Sequence, residues 1–272
     1  MEARSGMPKN HIRSITPTIC ELAQIPRPAL SSCEPLPIVE MARRQFVGRA
    51  VQRMLIFCPD ALGKHLWSAH QEAWEPVLRH APNVEELHAE LPSVTPVCFA
   101  SMFTGAAPQA HGIIKYEKPV LRCDTVFDAL GRSGRRVAIV AVRGSSIDTI
   151  FRGRNVDYFS EEYDPQVTTR VETLLQEGIH EIVLAYLQEY DDTLHRTTPF
   201  SLAALQAMHN NIAAFDYLST VFDRAWAQYD RAILFCPDHG GHIDPNTGRG
   251  THGLSTSDDL EVLHFFGLRS GE

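Results

Sequence analysis

Aspartate and histidine residues recur in four short runs of this sequence, and these residue types suit metal coordination. The runs are CPDALG at 58–63, DDTLH at 191–195, PDHGGH at 237–242 and GTHG at 250–253. Carboxylate and imidazole ligands suit zinc or manganese, whereas copper(I) and iron–sulfur clusters prefer thiolates. The runs are far apart in the chain, so they meet only if strands carry them to one edge of a sheet. Such an assembly is typical of a two-metal hydrolase.

Two of these runs place candidate ligands close together. Asp191 and His195 are four residues apart, so in a helical turn they share one face and suit a single cation. The neighbouring Asp192 is either a competing ligand or a solvated carboxylate. Asp238 and His239 are adjacent after an apolar run, so they point in different directions and suit two different ions.

Two histidines stand next to glycines. His252 is followed by glycine in GTHG, and the flanking glycines suit it to a tight turn that faces solvent. His242 follows two glycines and is a weaker candidate, because a supporting or exposed role fits its position better. We therefore expect His252 among the ligands and His242 outside them.

Thr95 is the candidate nucleophile. It follows a strand-like run and precedes Pro96, a residue that suits the first turn of a helix. A hydroxyl at a helix N-terminus near cations has a lowered pKa and N–H groups nearby for an oxyanion. A plain helix-capping role for Thr95 fits the same pattern, because threonine often caps helices.

Strand-like and helix-like patterns alternate along most of the chain. Apolar runs predict strands at 53–58, 135–142, 181–187, 231–236 and 260–268. Helical spacing predicts helices at 63–80, 125–134, 165–178 and 199–229, the last with Pro199 in its first turn. This alternation predicts an α/β fold with a mostly parallel central sheet and helices on both faces. Asp60 and Asp238 then stand at strand C-termini, where sites form in such sheets.

Composition and net charge argue against several classes of function. The 272 residues are 44% hydrophobic, which fits a single domain over 1–272, and the net charge of −8 disfavours binding to a nucleic-acid backbone. The apolar runs are too short to span a membrane, and the N-terminus lacks the apolar core of a signal peptide, so we expect a cytoplasmic protein. The six cysteines are spread singly, which argues against a disulfide framework or a thiolate zinc site.

The order of these motifs resembles the alkaline phosphatase superfamily. The nearest branch is that of the type I phosphodiesterase/nucleotide pyrophosphatase-like enzymes, which are related to cofactor-independent phosphoglycerate mutase. The resemblance extends over residues 53–268 and rests on the following succession: Asp60 after a strand, Thr95 with TG and P-x-x-HGI, Asp191-x-x-x-His195, Asp238–His239, and His252.

The resemblance implies a ligand set and a reaction. Two divalent ions are expected, zinc first and manganese as the alternative. One ion would be held by Asp191, His195 and His252, and the other by Asp60, Asp238 and His239 together with the Thr95 hydroxyl. The implied function is hydrolysis of a small, soluble phosphoric ester, a diester or a monoester, through a covalent phosphothreonine.

The sequence departs from the family pattern near the nucleophile. Cys98 stands where the phosphodiesterases usually carry an asparagine that binds a phosphoryl oxygen. The sequence therefore does not determine which residue makes this contact here, or the exact reaction. Lys115 and Tyr116, just after HGI, are candidate substrate contacts, although a surface role fits them equally well. Only a short stretch separates His239 from His252, so a substrate cap is small or comes from residues 113–165.

The family's C-terminal segment also stands in an unusual place. Residues 14–40 resemble the helix and proline-rich passage that normally follow the last strand, so we infer a circular permutation. An unrelated N-terminal helix with coincidental prolines is the alternative.

Other functions remain open from the sequence. A phosphomutase uses the same metal core but generally needs a large shielding domain, which this chain lacks. A sulfatase is disfavoured, because no C/S-x-P-x-R run is present at Thr95. A non-catalytic metal-binding or scaffold module would leave clustered carboxylates repelling one another without an ion. The substrate and the oligomeric state are not determined by these patterns.

Overall fold

A computed structural model describes residues 10–272. The expectation about a signal peptide rests largely on residues 1–9, which lie outside that range. None of the helices within the described residues is long and apolar enough to cross a bilayer. The strands are β1 Asn10–His11, β2 Arg53–Pro59, β3 Asn83–His88, β4 Val137–Val142, β5 Asp157–Glu161, β6 Ile182–Leu187, β7 Arg231–Phe235, β8 His242–Ile243, β9 Gly250–Thr251 and β10 Glu261–Arg269.

Eight of the strands described in residues 10–272 form one sheet, in the order β1-β3-β10-β7-β2-β6-β4-β5. β10 pairs antiparallel with both β3 and β7, and every other pairing in this sheet is parallel. β8 and β9 form a separate two-stranded ribbon. The predicted α/β class with a mostly parallel central sheet is confirmed.

Helices cover both faces of the sheet. Two short 3-10 helices accompany them at Ile12–Ser14 and Gln71–Trp74. The α-helices are α1 Ile15–Ala23, α2 Ile38–Gln45, α3 Lys64–Ala69, α4 Glu75–His80, α5 Thr95–Thr104, α6 Pro108–His111, α7 Val126–Arg132, α8 Ser146–Ile150, α9 Asp164–Glu177, α10 Glu189–Arg196, α11 Leu202–Ala225 and α12 Ser257–Leu260.

The central strands are buried on both faces, which explains their continuous apolar runs. Along β2, Met54 and Ile56 belong to one hydrophobic core with α1, α5 and α7, whereas Leu55 and Phe57 belong to a second core with α4, α9 and α11. Successive side chains of a strand point to opposite faces, so one apolar run supplies both cores. The result is a helix–sheet–helix sandwich that holds the strand ends rigidly.

The predicted elements differ from the structure in two helices. The pattern at 63–80 is divided into α3, a 3-10 turn and α4, and Pro76 lies in the first turn of α4. Proline has no N–H to donate and so starts a helix rather than continuing one. The long helix begins at Leu202 rather than at Pro199, because the Ser201 side chain caps it by accepting from the Ala204 N–H.

The N-terminal segment is part of the main sandwich. β1 pairs with β3 at the edge of the sheet, and α1 packs on α5, where the Thr16 hydroxyl donates to the Met102 carbonyl at 2.7 Å. Ile15 and Ile19 share a core with Val262 of β10. The circular permutation stays a prediction. From residue 126 onward, the segment 113–165 supplies α7, β4, α8 and β5 of this sandwich, so its irregular beginning is the part available as a cap.

Candidate metal centre and active site

Three neighbouring strands deliver the candidate site to one edge of the sheet. β7, β2 and β6 lie side by side and parallel, so their C-terminal ends meet. Asp60 follows β2, Asp238 follows β7, and Asp191 lies in the first turn of α10 after β6. The sheet thus brings together carboxylates from three distant parts of the chain, at positions 60, 191 and 238.

The predicted ligands form two clusters. Ligand atoms of Asp191, His195 and His252 lie within 4.8 Å of one another, and so do those of Asp60, Asp238 and His239. The second cluster is fully buried, whereas His195 is exposed on the first. The clusters adjoin, because the His239 and His252 rings lie 4.1 Å apart between centroids.

Each of the three imidazoles is held by a backbone carbonyl at Nδ1. The partners are Gly240 at 2.9 Å for His239, Gly250 at 3.2 Å for His195 and Ser93 at 2.8 Å for His252. A carbonyl only accepts, so Nδ1 carries the proton and Nε2 presents a lone pair. The Nε2 atoms of His195 and His252 face each other at 3.0 Å. Lone pairs directed at one point, each fixed by a bond at the other nitrogen, suit a cation.

The carboxylates also lack enough protein partners. Asp191 Oδ1 and Asp238 Oδ2 are buried without a hydrogen bond from any described residue. Burial, reinforced by the charge of Asp60, raises the pKa of both carboxyls well above the ordinary value. Burial lowers the pKa of His239 to about 4 and that of His252 to about 3. Neutral imidazoles beside crowded carboxylates leave negative charge that divalent cations would balance. The residues therefore fit two such ions.

Thr95 stands at the buried cluster rather than in a capping position. It is the first residue of α5, and the N-cap residue before it is Val94. The Thr95 hydroxyl lies 3.3 Å from Asp60 Oδ2 and 3.3 Å from His239 Nε2. The capping alternative left open by the sequence does not hold, because the side chain turns to the carboxylate and the imidazole.

A fully buried carboxylate supports the loop that carries His252. Asp259 accepts from the Leu254 N–H at 2.8 Å and from the Ser93 hydroxyl at 3.3 Å, and it pairs with His242 Nδ1 at 2.6 Å. Ser93 in turn accepts from the N–H of Gly253 at 3.1 Å, next to His252. His242 lies outside both ligand clusters, as the sequence predicts.

A second buried carboxylate supports α10. Asp164 accepts from the backbone N–H groups of Gln188 at 3.0 Å and Glu189 at 2.9 Å, and from the Asn211 side chain at 3.2 Å. The two N–H groups lie at the start of the helix that carries Asp191, where a negative charge is stabilising. Burial raises the pKa of Asp164 to about 6.

Sequence reasoning missed these supports. Neither Asp164 nor Asp259 stands in a motif, and every partner except Leu254 is distant in sequence. The same holds for Tyr186 on β6, whose hydroxyl donates to Asp60. The apolar sequence of β6 does not indicate that the Tyr186 hydroxyl donates a hydrogen bond to a candidate metal ligand.

The three candidate substrate contacts lie in different environments. Cys98 is fully buried, with Sγ 4.0 Å from the Glu90 carbonyl, and burial raises its pKa well above the ordinary value. Lys115 is exposed and lies 3.5 Å from Glu117. Tyr116 is 62% exposed, and partial burial, with the charges of Asp191 and Asp60, raises its pKa. Tyr116 therefore lies within electrostatic reach of the clusters.

Family comparison agrees with this geometry. Residues 55–242 match the family model described as type I phosphodiesterase / nucleotide pyrophosphatase. The chain belongs to this family. The matched range includes five of the six clustered residues and Thr95, whereas His252 follows it. The family membership predicted from the motif order is confirmed. No curated protein matches the sequence.

Several solved structures share the fold of this chain. Phosphonoacetate hydrolase from Sinorhizobium meliloti 1021, in complex with phosphonoformate, has a TM-score of 0.55 and 18% identity over 74% of this chain and 61% of that chain. Murine ectonucleotide pyrophosphatase / phosphodiesterase 5 has 0.53 and 15% over 71% and 58%. The C-terminal periplasmic domain of EptC from Escherichia coli, in complex with Zn, has 0.52 and 12% over 82% and 74%. This chain spans less than two thirds of the first two chains.

Proposed function

We propose that the protein is a two-metal hydrolase of small phosphoric esters with Thr95 as its nucleophile. The observation that carries this proposal is the position of the Thr95 hydroxyl, 3.3 Å from both Asp60 and His239 of the buried ligand cluster. A hydroxyl at a helix N-terminus, beside a site for cations, is a nucleophile rather than a surface group. The family match supports the same reaction class.

In this proposal the six clustered residues hold the ions. Asp191, His195 and His252 hold one ion, while Asp60, Asp238 and His239 hold the other. Zinc is favoured, since the ligands are imidazoles and carboxylates and the EptC relative is in complex with Zn; manganese is the alternative. Bound ions supply a lowered hydroxyl pKa and neutralise charge on the attacking and leaving oxygens.

The chain's own groups then define the reaction path. Asp60 orients the Thr95 hydroxyl and is itself held by the Tyr186 hydroxyl. The Thr95 hydroxyl loses its proton to water as its oxygen attacks phosphorus, and the bond between phosphorus and the ester oxygen breaks on the opposite side. The leaving oxygen takes up a proton from water and departs as the alcohol. A water molecule later hydrolyses the phosphothreonine, which releases the phosphate product and restores the Thr95 hydroxyl.

A phenol is protonated at neutral pH, so we assign the exposed Tyr116 hydroxyl as a hydrogen-bond donor to a phosphoryl oxygen. Cys98 is fully buried in the core, so in this proposal it does not contact the substrate. The exposed Lys115 contributes only its positive charge.

Hydrolysis of p-nitrophenyl phosphate and of its bis-ester, with zinc or manganese added, tests the proposal. We expect turnover of at least one ester, with a preference for the bis-ester identifying a phosphodiesterase. Thr95→Ala should abolish turnover while leaving the fold and the metal content intact, because the variant loses one buried hydroxyl whose hydrogen bonds contribute about 1 kcal/mol to stability. Full activity of Thr95→Ala contradicts the proposal. A protein that purifies without metal and hydrolyses neither ester is a scaffold rather than an enzyme.

A further inference from the structure

The P-x-x-H-G-I run at 108–113 holds a single histidine against the helix of the candidate nucleophile. Pro108 is the first residue of α6, where a missing N–H costs no hydrogen bond, and His111 is the last. Gly112 follows with a φ of 90°, a left-handed conformation that favours glycine. Ile113 is buried in the core that also contains α5, and α6 packs on α5. His111 is thereby enclosed and only 6% exposed.

Two hydrogen bonds determine which nitrogen of His111 carries the proton. The N–H of Ile113 donates to Nδ1 at 3.2 Å, so Nδ1 presents a lone pair. Burial lowers the pKa of His111 to about 4, so the imidazole is neutral at neutral pH and its one proton is on Nε2. Nε2 lies 2.8 Å from the Ser101 hydroxyl and therefore donates to it. The bond at Nδ1 fixes both the tautomer and the direction of the donor at Nε2.

Ser101 belongs to α5, the helix that begins with Thr95. All ten residues of α5 are buried, and apolar contacts are not directional, so directional bonds from neighbouring elements set the rotation of the helix. One such bond comes from His111 to Ser101, and another from the Thr16 hydroxyl to the Met102 carbonyl at 2.7 Å. A helical Cα lies about 2.3 Å from the helix axis, so a rotation of about 25° displaces it by about 1 Å.

We propose that His111 is a positioning residue, which sets the rotation of α5 through Ser101 and thereby holds the Thr95 hydroxyl at the buried cluster. The inference rests on the proposed role of Thr95 as nucleophile. That hydroxyl lies 3.3 Å from both Asp60 and His239, and a displacement of about 1 Å at a reacting group costs about a hundredfold in rate. His111 acts here through the helix and not by contact with the reacting atoms.

Two substitutions separate the two hydrogen bonds of His111. In His111→Gln the longer amide reaches Ser101 as a donor but does not accept from Ile113, whereas in His111→Asn the shorter amide accepts from Ile113 but does not reach Ser101. Ser101→Ala removes the acceptor itself. His209→Asn changes an exposed histidine of α11 in the same way and serves as the matched control.

The variants are compared in the zinc-loaded protein on whichever p-nitrophenyl ester the wild type hydrolyses. His111→Asn and Ser101→Ala should lower kcat about tenfold or more, with KM and zinc content unchanged, because the nucleophile is misplaced while the metal ligands are not. His111→Gln should retain most of the wild-type kcat, and His209→Asn all of it. A histidine that only holds the turn at 112–113 gives the reverse order, with Asn tolerated and Gln not. That order, or equal losses in both variants, overturns the inference.

The position of Thr95 is also measured without turnover. In protein labelled at threonine methyl groups, Thr95→Ala identifies the Thr95 signal by NMR. This signal should shift in His111→Asn and Ser101→Ala and keep its place in His111→Gln; an unshifted signal in His111→Asn overturns the inference. A wild type that hydrolyses neither ester refutes the proposed function, while the Thr95 signal still decides whether His111 positions the hydroxyl.

Discussion

Replacement of Asp259 by alanine tests whether the buried carboxylate behind His252 is needed to hold a metal ligand in place. Asp259 is fully buried and touches no member of the ligand clusters, yet its partners Leu254 and Ser93 flank the histidine. Ser93 also accepts the Nδ1 proton of His252 through its carbonyl. Loss of the carboxylate therefore releases the loop on which His252 stands.

The size of the effect follows from the groups that lose a partner. The Leu254 N–H loses its acceptor at 2.8 Å, whereas the Ser93 hydroxyl keeps the Leu254 carbonyl at 3.1 Å. His242 is close enough to the surface to bond water instead. One buried donor without a partner costs about 1–3 kcal/mol in the free energy of unfolding. Removal of a group that orients a metal ligand costs about 10–100-fold in metal affinity.

Two measurements and two further variants make the result interpretable. Urea unfolding of the metal-free protein gives the stability, and competition with a zinc-binding dye gives the affinity. Asp258→Ala changes the exposed neighbouring carboxylate and should alter both quantities little. Asp259→Asn retains an acceptor for the Leu254 N–H and should recover most of the zinc affinity. Zinc affinity of Asp259→Ala equal to that of Asp258→Ala would refute the positioning role.

Three further predictions concern the metal centre. His252→Ala should reduce the zinc content measured by atomic emission from about two ions per chain to about one; unchanged content removes His252 from the ligand set. Because the pKa values of Asp191 and Asp238 are raised, the metal-free fold binds more protons than the unfolded chain at pH values above the ordinary carboxyl pKa. The free energy of unfolding of the metal-free protein therefore falls as pH rises above that value. Zinc requires the deprotonated carboxylates, so the Tm gain on adding zinc should be larger at about pH 8 than at about pH 5, and an equal gain contradicts this. Asp164→Ala leaves two N–H groups of α10 without an acceptor, so urea unfolding should show a loss of about 2–4 kcal/mol together with weaker zinc binding; wild-type values for both exclude a role in placing α10.

The central sheet and the positions of Asp60 and Asp238 at its edge could be predicted because one physical pattern determines both. Strands buried on both faces read as apolar runs, as in β2 and β7, and the polar residue that ends each run must reach the strand-end edge. Asp60 and Asp238 were located by this rule alone. The assignment of ligands to particular ions needed the family resemblance, because spacing does not say which carboxylate meets which imidazole.

The edge strands could not be predicted in the same way. β3 reads NVEELH and β5 reads DYFSE, and most of their side chains are only partly buried. Polar residues are tolerated there because an edge strand faces solvent, so the apolar signal is weak. The supports Asp164 and Asp259 were equally hidden, since their role depends on contacts with distant residues and not on local pattern.

The place of β10 in the sheet has a consequence for how the protein matures. β10 lies between β3 and β7 and pairs residue 262 with residue 87. During synthesis the backbone groups of β3 and β7 that face β10 therefore stay unpaired until β10 is made. Contacts between such distant residues form late and slowly. β3 leads to the Thr95 helix, and β10 follows directly on the His252 loop. In a nascent chain that lacks β10, neither β3 nor the His252 loop is held in place, so the candidate site is completed in the same step that closes the sheet.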